Sequence, residues 1–139
     1  MTTLQHQSYA QSQVATSSPS ELVVLLYRGA VRFAAKARLH IQNGRIEPAH
    51  QELIRAQQIV LQLMGALRPS ERPVDADLYA LHNYIYEVLY RANRYKDVAA
   101  VDEALEHLRA QLETWEQIAL PPTSRPVQAG GVVAIDRRC

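Results

Sequence analysis

The sequence predicts an all-α protein: an antiparallel four-helix bundle with a mobile N-terminal arm and a flexible C-terminal tail. Three observations support this. Apolar residues recur at three- and four-residue spacing in four segments of roughly twenty residues. The breaks between them are short and carry Gly, Pro or a capping residue. No stretch alternates apolar and polar residues over the length of a strand. Helices of this length on short connections pack most simply as antiparallel neighbours. The expected division is an arm at 1–17, a bundle at 18–119 and a tail at 120–139.

Residues 1–17 are rich in Gln, Ser and Thr, with Leu4, Tyr9 and Val14 as isolated apolar side chains. The first helix is announced by Ser18 as a cap, Pro19 at the first helical position and Glu21 completing an S-x-x-E box. It is expected to run from Pro19 to about Asn43 and to stop at Gly44. Six consecutive residues, Leu22 to Tyr27, are apolar or aromatic, more than one buried face needs. Pro48 suits the start of a second helix that continues to Leu67. The stretch "RPSERPVD" carries two prolines and reads as a loop. A third helix is expected from Asp75 to Ala92, broken by "NRYKD", where Asp97 can cap the fourth. The fourth helix reaches about Ile118, and Pro121-Pro122 ends it. The tail holds Gly130-Gly131 and an apolar "VVAI".

Placing residues at 100° per position separates core bands from other faces. The fourth helix has one band: Val101, Ala104, Leu105, Leu108, Leu112 and Trp115. The third has Leu78, Leu81, Ile85, Val88, Leu89 and Ala92 inward, with Tyr79, Tyr86 and Tyr90 on a face away from them. The second has Leu53, Ala56, Val60, Leu63, Met64 and Leu67, with Ile54 and Leu61 off that band. In the first, Leu22, Val23, Leu26, Ala30, Phe33, Ala34, Ala37 and Ile41 form the expected core. Val24, Tyr27, Val31 and Ala35 form a second stripe beside it. Apolar faces beyond the core usually mark a partner site, and Tyr is a favoured anchor. The fitting partner is an amphipathic helix or extended apolar segment lying in grooves between helices. A seam with a second copy would cover the same stripes.

The charge balance, 15 Lys and Arg against 14 Asp and Glu, gives no electrostatic case for nucleic acid or an acidic membrane surface. The single cysteine, Cys139, permits no internal disulfide and fits a reducing compartment. The first residues lack the basic start and apolar run of a secretory signal, and no stretch has transmembrane length. The expected location is therefore the cytosol. No nucleophile motif or Gly-rich phosphate loop is present. Glu47 and His50 have the spacing of a bundle di-iron ligand pair, but such sites need two pairs and His50 falls off the core band. They read as a solvated pair, and His82 as a packed, hydrogen-bonded histidine. No catalytic residue, metal site or cofactor is expected.

The segment "YAQSQVATSSPSELVVLLYRGAVRF" resembles the opening of the bacterial flagellar secretion chaperones, the FliS family, at Tyr9, Thr16, Pro19, Glu21, Leu22, Leu26, Tyr27 and Gly29. The likeness continues at Ala56-Gln57, at the Tyr-rich third helix ending in Ala92-Asn93, and at Trp115. It departs at Arg28, where the family usually has Asp or Asn, and at Arg55, where Lys is common. The resemblance implies a non-enzymatic export chaperone of the bacterial cytosol. Such a protein binds the unstructured C-terminal segment of flagellin, prevents premature polymerisation and assists its delivery to the export apparatus. It also implies docking to the export gate and other flagellar regulators, and an arm that moves when flagellin arrives. On this reading Val24, Tyr27, Val31, Ile54, Leu61, Tyr79, Tyr86 and Tyr90 line the partner grooves and Tyr9 is a removable plug. The alternatives are a homodimeric helical bundle without a flagellin client, and a metal-bundle oxidase.

Overall fold

The computed structural model describes residues 18–66 and 73–120, which form four α-helices: α1 (Pro19–Gln42), α2 (Ile46–Ala66), α3 (Pro73–Tyr95) and α4 (Val98–Ala119). Leu4, Tyr9, Val14, Thr16, Leu67, the "VVAI" of the tail and Cys139 lie outside the described residues. Helix α1 packs most extensively, against α2 and α4; α3 closes the square against the same two helices. This is the expected all-α helical bundle, with neighbours in chain order also neighbours in space.

The α1 capping box is formed as the sequence indicates. The Glu21 amide donates to Ser18 Oγ at 3.2 Å, and the Ser18 amide donates to Glu21 Oε1 at 2.8 Å. The Ser18 backbone and side-chain bonds hold the Glu21 carboxyl below its ordinary range. Gly44, at φ 72°, makes the turn into α2. Helix α2 begins two residues before Pro48, because a first-turn residue has no intrahelical N–H bond to lose. Helix α3 extends beyond its expected range at both ends. Pro73 opens it, so the last residues of the expected loop are helical. Its other end passes through Asn93, Arg94 and Tyr95, and the break falls at Lys96, the one non-glycine at positive φ (49°) among the described residues. The Lys96 ammonium bonds the Asn93 carbonyl at 2.5 Å and Asn93 Oδ1 at 2.8 Å, which offsets the left-handed conformation. Asp97 caps α4 as expected, accepting from the Ala99 amide at 3.0 Å.

The core is centred differently on α1 than expected. Tyr27, Ala30, Ala34 and Ala37 are completely buried and Val24 nearly so, while Val23, Leu26 and Phe33 are only half-buried. Small residues face the bundle axis because they let neighbouring helices approach closely. At Gly29 a Cβ would come 3.0 Å from Ile59 Cδ1 of α2. Larger side chains spread over the two seams instead. None of Leu22 to Tyr27 is fully exposed, so the apolar excess of this stretch is architecture.

Two arginines on the flank of the second α1 stripe tie α1 to α4. Arg28 Nη2 pairs with Glu116 Oε2 at 3.0 Å, and Arg38 Nε pairs with Asp102 Oδ1 at 2.5 Å. Val24, Val31 and Ala35 share the helical face of these two arginines at three- and four-residue spacing, and Val31 and Ala35 pack against the core. Arg28, the departure from the family pattern, is thus an exposed tie between α1 and α4.

Candidate functional site

A buried polar link crosses the bundle from α1 to α3. Both Tyr27 and His82 have no solvent exposure. His82 Nδ1 lies 2.8 Å from the Leu78 carbonyl, an acceptor only, so this nitrogen carries the proton. Nε2 is therefore the acceptor, and the Tyr27 hydroxyl donates to it at 2.5 Å. Burial pushes the Tyr27 phenol far above its ordinary value, offset in part by the Trp115 indole beside it. Burial also lowers the His82 pKa, with the Leu78 carbonyl acting in the opposite sense. Both groups are neutral at neutral pH and satisfy each other. The pair is structural, and Tyr27 is inaccessible to a partner. This corrects the expectation that Tyr27 lines a groove, and Val24, 5% exposed, is buried as well; Val31 is half-buried against the core. The reading of His82 as a packed, hydrogen-bonded histidine holds.

The linkage has a definite sign. A histidine with a folded pKa below its unfolded value of about 6.5 takes up protons more readily when unfolded. Its contribution to stability is full above about pH 6.5 and declines as pH falls towards the depressed folded value. The urea midpoint is expected to drop between about pH 7 and about pH 5.5, and to drop less in His82→Gln, which cannot titrate.

Ile46, Ile54, Leu61 and Tyr90, four of the exposed large apolar side chains, lie along the seam of α2 and α3, whereas Leu39, Tyr84, Tyr95 and Ile118 are exposed on other faces. The register is set by Asn93, buried at the end of α3, whose Nδ2 donates to His50 Nδ1 of α2 at 3.0 Å. Asn93 Oδ1 accepts from Lys96, so one amide joins both helices to the turn. From His50, the α2 residues on the same face are Ile46, Ile54, Gln57 and Leu61. From Asn93, running the opposite way, they are Tyr90, Tyr86 and Tyr79 on α3. Ile54 therefore lies beside Tyr90 and Gln57 beside Tyr86, with Leu61 towards Tyr79. Ile46, Leu61 and Tyr90 are each about half exposed (51%, 49% and 54%) and Ile54 is 36% exposed. Tyr79 and Tyr86 are half-buried against the core margin, closer in than the separate face expected of them. From Ile46 to Leu61 the strip is roughly 22 Å long at 1.5 Å per residue.

Five of the residues singled out in the sequence, Ile54, Leu61, Tyr79, Tyr86 and Tyr90, thus belong to one strip. Ile46, Gln57 and Asn93 were not singled out as site residues. Ile46 continues the four-residue spacing to the helix start and could have been found by extending it. Gln57 and Asn93 are polar residues whose burial no periodicity of apolar residues reports. Other faces carry polar ties. On the α3–α4 surface Tyr84 donates to Glu103, which Arg91 and His107 approach at 3.8 Å. His50 is engaged by Asn93, and among the described residues no group of three or more His, Cys, Asp or Glu is placed to hold a metal ion. No helix of the described residues is long and apolar enough to cross a membrane.

Residues 1–122 match the family described as "Flagellar protein FliS". The chain is 30% identical over 110 residues to the flagellar secretion chaperone FliS of Bacillus subtilis, covering 79% of this chain and 82% of the relative. It is 28% identical over 116 residues to that of Campylobacter jejuni (83% and 91%) and 29% identical over 118 residues to that of Salmonella typhimurium (81% and 87%).

Proposed function

Because this chain belongs to the FliS family of flagellar secretion chaperones, we propose that it binds the C-terminal segment of flagellin in the bacterial cytosol. Binding keeps flagellin from polymerising early and helps deliver it to the flagellar type III export apparatus. The observation that carries this reading is the α2–α3 strip, where Ile54, Leu61 and Tyr90 are exposed together on a folded bundle. Exposed apolar strips of this kind are suited to an amphipathic segment, which supplies the missing apolar cover. Tyr86 and Tyr79 line the inner wall, and Tyr90 is the accessible aromatic anchor. Ordering a disordered client costs several kcal/mol, roughly 2–5, so a long strip is needed for tight binding. Tyr9 is assigned as a plug that leaves the strip when the client arrives, and the export gate and other flagellar regulators as further partners. No chemical step is assigned to the protein.

Calorimetric titration with a flagellin C-terminal peptide tests the reading. The variant Leu61→Asp/Tyr90→Asp is expected to bind roughly 30-fold more weakly, about 2 kcal/mol, with thermal stability close to the parent's. Equal binding by parent and variant would remove the strip from the site. A parent that fails to bind, and runs as a concentration-independent dimer made monomeric by the same variant, would favour a second copy as the occupant.

A further inference from the structure

Gln57 stands out on the strip. It is 5% exposed, yet its side-chain amide makes no hydrogen bond to another described residue. Nor is the amide sealed in: among the described residues the one fully enclosed side-chain nitrogen or oxygen without a partner is His40 Nδ1. The Gln57 stem is therefore packed and its polar tip opens at the surface. Its position decides which surface. Gln57 is one turn from both Ile54 and Leu61, and two turns from His50, which bonds α3 through Asn93. Gln57 thus lies at the floor of the α2–α3 strip, between Ile54 and Leu61 and level with Tyr86 in the register set by the His50–Asn93 bond.

We propose that Gln57 is a specificity-determining residue of this groove, pairing with an amide group of the bound segment. The inference rests on the client-binding reading above. Any segment lying across Ile54 and Leu61 also covers Gln57 and strips water from its tip. An amide that loses water without gaining a partner costs roughly 1–3 kcal/mol. An uninterrupted apolar helix has nothing to offer, because its own backbone groups are already bonded within the helix. A segment that presents a carboxamide side chain, or a peptide unit freed by a break in its helix, satisfies both the donor and the acceptor of Gln57. The residue therefore selects by rejecting the wrong segment as well as by holding the right one.

The test uses the full chain and Gln57→Met, which keeps the volume and removes the amide. It is titrated with a flagellin C-terminal peptide and with a designed Leu-based amphipathic helix lacking Asn and Gln on its apolar face. The flagellin peptide is expected to bind Gln57→Met roughly 5- to 100-fold more weakly, the equivalent of stranding its own amide. The apolar helix is expected to bind it more tightly than it binds the parent. In the parent, the Gln57 side-chain NH₂ resonance is expected to shift and to exchange more slowly with water when flagellin peptide is bound. That readout does not depend on the variant folding. Replacing the peptide's Asn and Gln by Leu in turn identifies the partner: abolition of the Gln57→Met penalty points to a side chain, persistence to a peptide unit. If Leu61→Asp/Tyr90→Asp weakens binding while Gln57→Met binds both ligands as the parent does, the amide inference fails and the groove stands. If the double variant binds as the parent does, the groove reading itself fails.

Discussion

Tyr27→Ala is expected to destabilise the bundle by about 4 kcal/mol, the range for removing a buried aromatic ring. Two costs add in this variant. The ring leaves a cavity in a completely enclosed part of the core, and His82 Nε2 loses the hydroxyl that donates to it. Tyr27→Phe separates them, since it keeps the ring and removes only the hydroxyl that His82 Nε2 and the Trp115 indole face. It is expected to cost about 2 kcal/mol. Urea denaturation of the three proteins at neutral pH measures both, with m-values unchanged if the transition stays two-state. Phe33 is the control. It is half-buried, with the Arg32 and Arg55 guanidinium groups 5.1 and 5.7 Å from its ring centre, so Phe33→Ala should cost less than Tyr27→Ala. A Phe33 variant more damaging than the Tyr27 one would return the core to the centre that large apolar residues alone suggest. Any loss of client binding by Tyr27→Ala should follow its loss of folded protein, because Tyr27 has no surface to offer.

Ala34→Leu is the second large effect, expected at about 3 kcal/mol of destabilisation. Ala34 is completely buried on the α1 face that points at the bundle axis, between Ala30 and Ala37 one turn to either side. The added carbons have no space unless α1 moves away from α2 and α4, its two most extensive neighbours. Thermal denaturation checks this. The same substitution at Ala35, which is half-buried on the α4 flank, should be tolerated better. Equal costs at the two positions would mean that α1 is not held closely along its alanine face.

The difficulty at α1 is physical. A helix apolar over most of its circumference has no single direction of hydrophobicity, so the band with the largest side chains looks like its core. In a bundle the inner position is set by how closely backbones approach, and close approach favours alanine and glycine over leucine and phenylalanine. Helices α2 and α4 each have one polar face, and their expected core residues among those described are buried or packed against the core. Helix α3 could be read for its core and its tyrosines, though Tyr79 and Tyr86 sit deeper than their phase suggests. A tyrosine can pack its ring at a core margin while its hydroxyl reaches water. The Asn93 tie was hidden for a different reason. A carboxamide bonded to residues of two other elements follows no local period.

The sequence by itself determined that the chain is all-α, where its helices are capped, and which family it resembles. These properties depend on local signals: capping residues, glycine and proline, and the three- and four-residue recurrence of apolar side chains. The tertiary structure alone decided that Tyr27 points inward to His82, that Arg28 and Arg38 tie α1 to α4, and that Ile46, Ile54, Leu61 and Tyr90 share one strip with Gln57. Those outcomes depend on how far apart the helix axes lie and in what register they meet. Both are properties of pairs of helices, which no single stretch of sequence contains.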